Sequence, residues 1–192
     1  HLFYDCARPA VGRVVVLLWH GPSSADTSPA VSGWQAITSL FPPGDLDSTG
    51  GPGNDGLVLI GTPTANPAAV THTFDNASDG NIDIDGSVIN YTGLAPITDT
   101  LVTGTRTMVF NASAETITIS DDGEAGDDES RIDSTAGEQL DFAHPTNALV
   151  IQAADGNDTI NFDGVDSQFP GTIALTVDGE GGTDSVHFNT AL

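Results

Sequence analysis

The chain has 192 residues, with 27 acidic side chains, four arginines and no lysine, and its formal net charge at pH 7 is −23. A surface of this charge repels nucleic acids and anionic lipids, which excludes both as expected partners. It attracts divalent cations, and Ca²⁺ is the expected one because hard cations prefer carboxylate and carbonyl oxygens.

The charge is distributed unevenly along the chain. Residues 1–50 hold four aspartates against two arginines, a net charge of −2, so residues 51–192 carry −21 of the total −23. This change in composition predicts two parts. Residues 1–56 form an N-terminal strand followed by a segment rich in Pro, Ser and Gly, and residues 57–192 form an acidic β-repeat domain.

The first predicted element is a short apolar run preceded by Arg13. It is too short to cross a bilayer, so no membrane span is expected, and its length and composition are typical of a buried strand. An alternative interpretation is an assembly strand that completes the sheet of a neighbouring subunit. Its residues are Val14, Val15, Val16, Leu17, Leu18 and Trp19.

Residues 50–58 read GGPGNDGLV and match every defined position of the calcium-binding nonapeptide G-G-x-G-x-D-x-U-x. In that repeat the glycines permit a tight turn, and Asp55 would be the calcium-binding carboxylate. No second copy follows directly, although a nonapeptide contributes only half a site. The match therefore indicates turn chemistry first and a calcium ligand second.

Signals for β-structure dominate from about residue 55 onward. The only weak helical signal is Ser32–Leu40, which stops before Pro42-Pro43. Short alternating runs rich in β-branched residues recur between clusters of Gly, Asp and Asn, which predicts an all-β domain. The runs are NIDID, SVINY, TRTMVF, ETITIS, ALVIQ, DTINF, IALTV and DSVHF.

The chain also repeats itself. Residues 148–162, ALVIQAADGNDTINF, align without gaps on residues 174–188, ALTVDGEGGTDSVHF, at an offset of 26 residues. The shorter run ETITIS, residues 115–120, matches DTINFD at an offset of 43. Two strands joined by a Gly/Asp turn suit a parallel β-solenoid, the favoured fold, in which equivalent residues stack. The alternative is a β-sandwich, and a loop at residues 121–130 explains the unequal offsets within a solenoid.

Aspartates in the predicted turns are the candidate metal ligands. In the repeats they are Asp155, Asp158, Asp163, Asp178 and Asp184. A second group lies in the densest acidic run, DDGEAGDDE, and consists of Asp121, Asp122, Asp127 and Asp128, beside Glu124 and Glu129. The competing interpretations are turn formation for the first group and a hydrated loop for the second.

No catalytic motif is present: the chain lacks G-x-S-x-G, H-E-x-x-H and the P-loop. Past residue 50 it offers only Arg106 and Arg131 as permanent cations, too few to hold an anionic polysaccharide. We therefore expect a protein that is not an enzyme.

The Asp- and Gly-rich segments in residues 70–192, among them FDNASDGNIDIDGSVINYTGLAPI and LTVDGEGGTDSVHFNTAL, resemble repeat regions of very large secreted or surface proteins of bacteria. The calcium-nonapeptide proteins are a more distant likeness. The resemblance implies an extracellular or cell-surface location and a structural or adhesive role, with other surface proteins or further copies of the chain as partners. Two alternatives stay open: a fibre subunit that assembles through residues 14–19, and a β-helix protein that binds or cleaves glycans.

Overall fold

A computed structural model describes residues 55–61 and 66–190 in full, together with the backbone of three earlier strands. The described part is all-β: it contains eighteen strands and no helix. The strands are Val14–His20 (β1), Gly33–Ser39 (β2), Leu46–Thr49 (β3), Gly56–Gly61 (β4), Ala69–Phe74 (β5), Gly80–Ile84 (β6), Ser87–Thr92 (β7), Ile97–Asp99 (β8), Thr105–Val109 (β9), Thr116–Asp121 (β10), Glu129–Ser134 (β11), Leu140–Ala143 (β12), Ala148–Gln152 (β13), Asp155–Gly156 (β14), Thr159–Phe162 (β15), Ala174–Asp178 (β16), Gly181–Gly182 (β17) and Ser185–Phe188 (β18).

The strands form two large mixed sheets and one small one. The nine-stranded sheet has the order β18-β15-β10-β11-β12-β8-β4-β1-β2, and the seven-stranded sheet has the order β16-β13-β9-β5-β6-β7-β3. Strands β14 and β17 pair separately. The antiparallel parts are the meanders β5-β6-β7 and β10-β11-β12 and the pairs that β1 makes with β2 and β4.

Parallel pairing in register dominates the C-terminal part. Three stretches lie beside one another, and we call them the stacked segments: residues 105–121, 148–162 and 174–188. Ala148 lies opposite Ala174 and Thr159 lies opposite Ser185, so the last two segments pair at the repeat offset of 26 residues. The first pairs with the second at an offset of 43, with Thr105 opposite Ala148. The sequence repeats therefore predicted both registers.

One hydrophobic core takes side chains from both large sheets. Along most described strands, buried residues alternate with partly exposed ones, as expected for strands with one face on the core. Ile117, Ile160 and Phe162 of the nine-stranded sheet are fully buried in one cluster with Met108 and Leu149 of the seven-stranded sheet. Each such side chain contributes about 1.5–3 kcal/mol when it leaves water.

All eight predicted runs form strands, namely β6, β7, β9, β10, β13, β15, β16 and β18. The weak helical prediction at Ser32–Leu40 is wrong: Gly33–Ser39 is strand β2, because seven residues of β1 pair with it and such pairing overrides a weak local preference. The acidic run at residues 121–130 was predicted as a loop, yet β11 begins at Glu129.

The predicted N-terminal strand is present as β1, which lies between β2 and β4 of its own chain. The proposed domain boundary at residue 56 falls where β4 begins, and strands on both sides of it pair in the same sheets. Whether Val14–Trp19 also takes part in assembly stays a prediction.

Close contact between the stacked segments makes Gly182 sensitive to substitution. A Cβ atom at this position would lie 1.4 Å from the Gly156 carbonyl oxygen, and its φ of +133° is one that side-chain-bearing residues rarely adopt. We expect Gly182→Ala to lower the free energy of unfolding by about 1–3 kcal/mol, measured by urea denaturation. Gly171→Ala is the matched control, because a Cβ there meets nothing within 4 Å. Equal stability of the two variants would contradict the register of β14 and β17.

Candidate functional site

Three carboxylates converge where the chain passes from β10 to β11. Asp122 directly follows β10, Asp127 lies in the connection, and Glu129 is the first residue of β11. One oxygen from each side chain lies within 4.8 Å of the others. The antiparallel pairing of β10 with β11 produces this meeting, since Asp121 lies opposite Ser130. We call these three residues the acidic cluster.

The connection that carries the acidic cluster is held in place by the segment before β16. The Gly126 amide donates a hydrogen bond to Asp166, and the Gln168 side-chain amide donates one to the Gly126 carbonyl. The Gly126 bond is also the main reason why the pKa of Asp166 lies below its ordinary value. Within the connection, the Asp122 carboxylate accepts from the Glu124 amide at 3.0 Å and the Asp127 carboxylate accepts from the Glu129 amide at 3.1 Å.

Glu129 is the member of the acidic cluster whose pKa is raised, by burial and by its acidic neighbours. Burial raises the pKa of Glu129 first, and the charges of Asp127 and Asp122 raise it further, to about 7. At neutral pH the cluster therefore holds a proton for part of the time. A divalent cation would replace that proton, and three carboxylates are suitable ligands for Ca²⁺.

Of the ten aspartates predicted as metal ligands, the structure brings Asp122 and Asp127 together and adds Glu129. Within the described ranges, this is the only group of three or more His, Cys, Asp or Glu side chains close enough to share an ion. The other eight predicted residues do not converge in such a group: Asp55, Asp121, Asp128, Asp155, Asp158, Asp163, Asp178 and Asp184.

Two of those eight connect the stacked segments. The Asp158 carboxylate accepts a hydrogen bond from the Glu115 amide at 2.8 Å, and the Asp184 carboxylate accepts one from the Asp158 amide at 3.0 Å. Glu115, Asp158 and Asp184 thus form a column, which we call the carboxylate column. Asp155, Asp163 and Asp178 are exposed, while Asp55 is 2% exposed. A calcium role for these residues stays a prediction.

A buried polar network joins the two large sheets, and sequence reasoning missed it. His72 on β5, Asp99 on β8 and Arg106 on β9 are all fully buried. Arg106 forms an ion pair with Asp99, and its second terminal nitrogen donates to the Leu101 carbonyl at 2.6 Å. His72 Nε2 lies 2.8 Å from Asp99 Oδ2. Burial alone would raise the pKa of Asp99, but Arg106 and His72 lower it to about 2.

Two further buried contacts involve ionisable groups. Neither carboxyl oxygen of Glu138 has a hydrogen-bond partner, although the Tyr91 hydroxyl is near enough to lower the pKa of this carboxyl group. Burial raises the pKa of Glu138 to about 8. The Ser130 hydroxyl lies 3.0 Å from His144 Nε2, a pairing that resembles a nucleophile with its base. Ser130 is fully buried, however, and its oxygen also accepts from the Asp166 amide at 3.2 Å, so this contact serves packing.

Both arginines that follow residue 50 are already paired with aspartates. Arg106 is buried against Asp99, and Arg131 Nε donates to Asp141 Oδ1 at 2.6 Å across the β11-β12 pair. The described part thus offers no unpaired arginine to an anionic ligand. It also contains no helix long and apolar enough to cross a membrane.

Comparisons with known proteins give the chain no relative. No protein-family model, no curated protein and no solved structure matches it. The resemblance to bacterial surface repeats therefore stays a prediction.

Proposed function

We propose that this chain is a non-enzymatic structural module of an extracellular or cell-surface protein, built around a parallel β-solenoid. The observation that carries the proposal is the pairing of the three stacked segments at the offsets of the sequence repeat. Stacked repeats bury a continuous core in which each repeat contacts its neighbours. Such an architecture suits a stalk or spacer that presents other parts of a protein.

The electrostatics of the described residues also favour a structural role. Asp99 and Asp141 neutralise the two arginines that could have bound an anionic substrate. Among the described aromatic residues, only Phe188 is largely exposed, and flat exposed aromatic platforms are what a glycan-binding face needs. A screen against neutral and acidic glycans tests this part: no binding is the expected result, and saturable binding to a defined glycan would overturn it.

Calcium is proposed as the ligand of the acidic cluster. Without a cation the three close carboxylates repel one another, and the charges of Asp127 and Asp122 add to burial in raising the pKa of Glu129. A bound ion removes this repulsion and stabilises the folded state. Because the connection is anchored to Asp166, the gain in order extends to the segment that leads into β16.

We expect excess calcium to raise the melting temperature by roughly 5–10 °C over EDTA at matched ionic strength. A double variant with Asp122→Asn and Asp127→Asn should lose this rise, because two of the three ligands are gone. The matched control combines Asp133→Asn with Glu180→Gln, which removes the same charge from exposed positions outside the cluster. A calcium-dependent rise that survives in the Asp122 and Asp127 variant would place the ion elsewhere.

A further inference from the structure

Among the described strands, those of the last stacked segment have no partner on their outer side. β16 ends the seven-stranded sheet, β18 ends the nine-stranded sheet, and β17 pairs only with β14. All three strands therefore pair on one side only among the described strands. An edge of this kind exposes backbone N–H and C=O groups that can pair with another strand.

The apolar side chains of this segment are exposed where their counterparts one segment earlier are buried. Val186 lies opposite Ile160 and Phe188 lies opposite Phe162. Ile160 and Phe162 are fully buried, whereas Val186 is 43% and Phe188 56% exposed. The Phe162 and Phe188 rings stack with centroids 4.7 Å apart, so one face of Phe188 is already packed. The other face of the Phe188 ring is open to a further apolar side chain stacked in the same direction.

The carboxylate column ends at the same edge. The Asp158 carboxylate accepts a hydrogen bond from the Glu115 amide, and the Thr159 amide then donates one to the Glu115 carbonyl at 2.9 Å. One segment later, the Asp184 carboxylate accepts a hydrogen bond from the Asp158 amide, and the Ser185 amide donates one to the Asp158 carbonyl, also at 2.9 Å. The same four-group arrangement thus occurs twice. No described residue repeats it on Asp184, whose amide is the next donor in the series.

We propose that this edge is a docking surface for one further segment of the same repeat, carried by another stretch of repeat polypeptide and paired in parallel with β16, β17 and β18. This inference rests on the proposed structural role. The chemistry of the docked segment follows from the stacked apolar side chains and from the carboxylate column. The docked segment supplies apolar side chains that pack on Val186 and Phe188, and a carboxylate that accepts a hydrogen bond from the Asp184 amide.

A second copy of the chain, docked edge to edge by two-fold symmetry, fits less well. Such a contact places β18 against its own copy in antiparallel orientation, so the carboxylate column cannot continue. It also brings the exposed carboxylates of Asp178, Glu180 and Asp184 close to those of the other copy, in a chain whose net charge is already −23. Only a parallel segment in register lets its carboxylate accept a hydrogen bond from the Asp184 amide, as Asp184 does from the Asp158 amide.

The test is an extended chain in which a second copy of residues 165–190, one repeat of 26 residues, is inserted after Thr190. The control extension has the same length, but the copied Leu175, Val177, Val186 and Phe188 are changed to serine. We expect the matched extension to raise the melting temperature by about 5 °C and to slow hydrogen exchange of the β16 and β18 amides at least tenfold. The control extension should do neither.

Two outcomes would overturn the inference. The first is a matched extension that behaves like the serine control, with no protection of β18. The second is a dimer of the unmodified chain, seen by sedimentation at rising concentration, that Phe188→Asp dissociates, since the occupant would then be a second copy. Neither outcome bears on calcium or glycan binding, so failure here can be told from failure of the proposed function.

Discussion

An Asp99→Asn variant will lose about 3–5 kcal/mol of its free energy of unfolding. The substitution keeps the shape of the side chain but leaves the guanidinium of Arg106 buried without a counter-ion. An unpaired charge in the interior costs far more than a lost surface pair, because water cannot reach it. Urea denaturation at pH 7 measures the loss, and the melting temperature should fall by roughly 10 °C.

The chain contains a matched control for this variant. Asp141 also pairs with an arginine, but the side chains of Arg131 and Asp141 are 32% and 16% exposed. We expect Asp141→Asn to cost less than about 1 kcal/mol, as for a pair that water still reaches. Both substitutions remove one negative charge from a strongly acidic chain, so a general relief of repulsion affects them equally.

A double variant separates the unpaired charge from the loss of packing. Combining Asp99→Asn with Arg106→Met removes the buried cation while its aliphatic bulk is largely kept. The double variant leaves no buried charge without a partner, so it should be more stable than Asp99→Asn alone. If it is less stable, or if Asp99→Asn costs no more than Asp141→Asn, the network does not depend on charge pairing.

The stacked segments show why part of this fold could be predicted from the sequence. In parallel strands paired in register, each residue lies beside its equivalent in the next repeat. The spacing of similar residues, such as Phe162 and Phe188, therefore equals the register of the strands. A repeat alignment thus carries long-range information that the alternation within a single strand does not.

The remaining topology has no such signal. Alternation of buried and exposed residues is the same whether a strand pairs in parallel or antiparallel fashion, so the meanders β5-β6-β7 and β10-β11-β12 were not predicted. The acidic run indicated Asp122 and Asp127 by its density alone. Glu129 was not singled out as a ligand, because its position at the start of β11 follows from the pairing of β11 with β10.

The buried charged groups were the least predictable feature. Asp99 and Arg106 are seven residues apart in different sheets, and no local pattern distinguishes them from the many exposed acidic positions. Only the three-dimensional contact reveals that one aspartate of a highly acidic chain is the counter-ion of a buried arginine. The same holds for Glu138, which is buried although no local pattern distinguishes it from an exposed carboxylate.

A Glu138→Gln variant will resist alkaline pH better than the wild-type chain. Glu138 is 1% exposed, and burial raises its pKa from 4.5 to about 8. The folded state therefore keeps the proton up to about pH 8, whereas the unfolded chain releases it near pH 4.5. The stabilisation is complete below pH 4.5 and is lost as the pH rises through 8. Glutamine is neutral at every pH, so we expect the variant to be about 2–4 kcal/mol more stable than wild type at pH 9 and nearly equal at pH 5.

Melting temperatures of wild type, Glu138→Gln and Glu124→Gln at pH 5, 7 and 9 measure this effect. Glu124 is exposed, so its substitution removes the same charge without changing a buried group, and that variant should follow the wild type. Glu129, with its pKa of about 7, contributes a similar pH dependence to all three proteins and cancels in the comparison. If wild type and Glu138→Gln lose the same stability between pH 5 and pH 9, the pKa of Glu138 is not raised in the folded state.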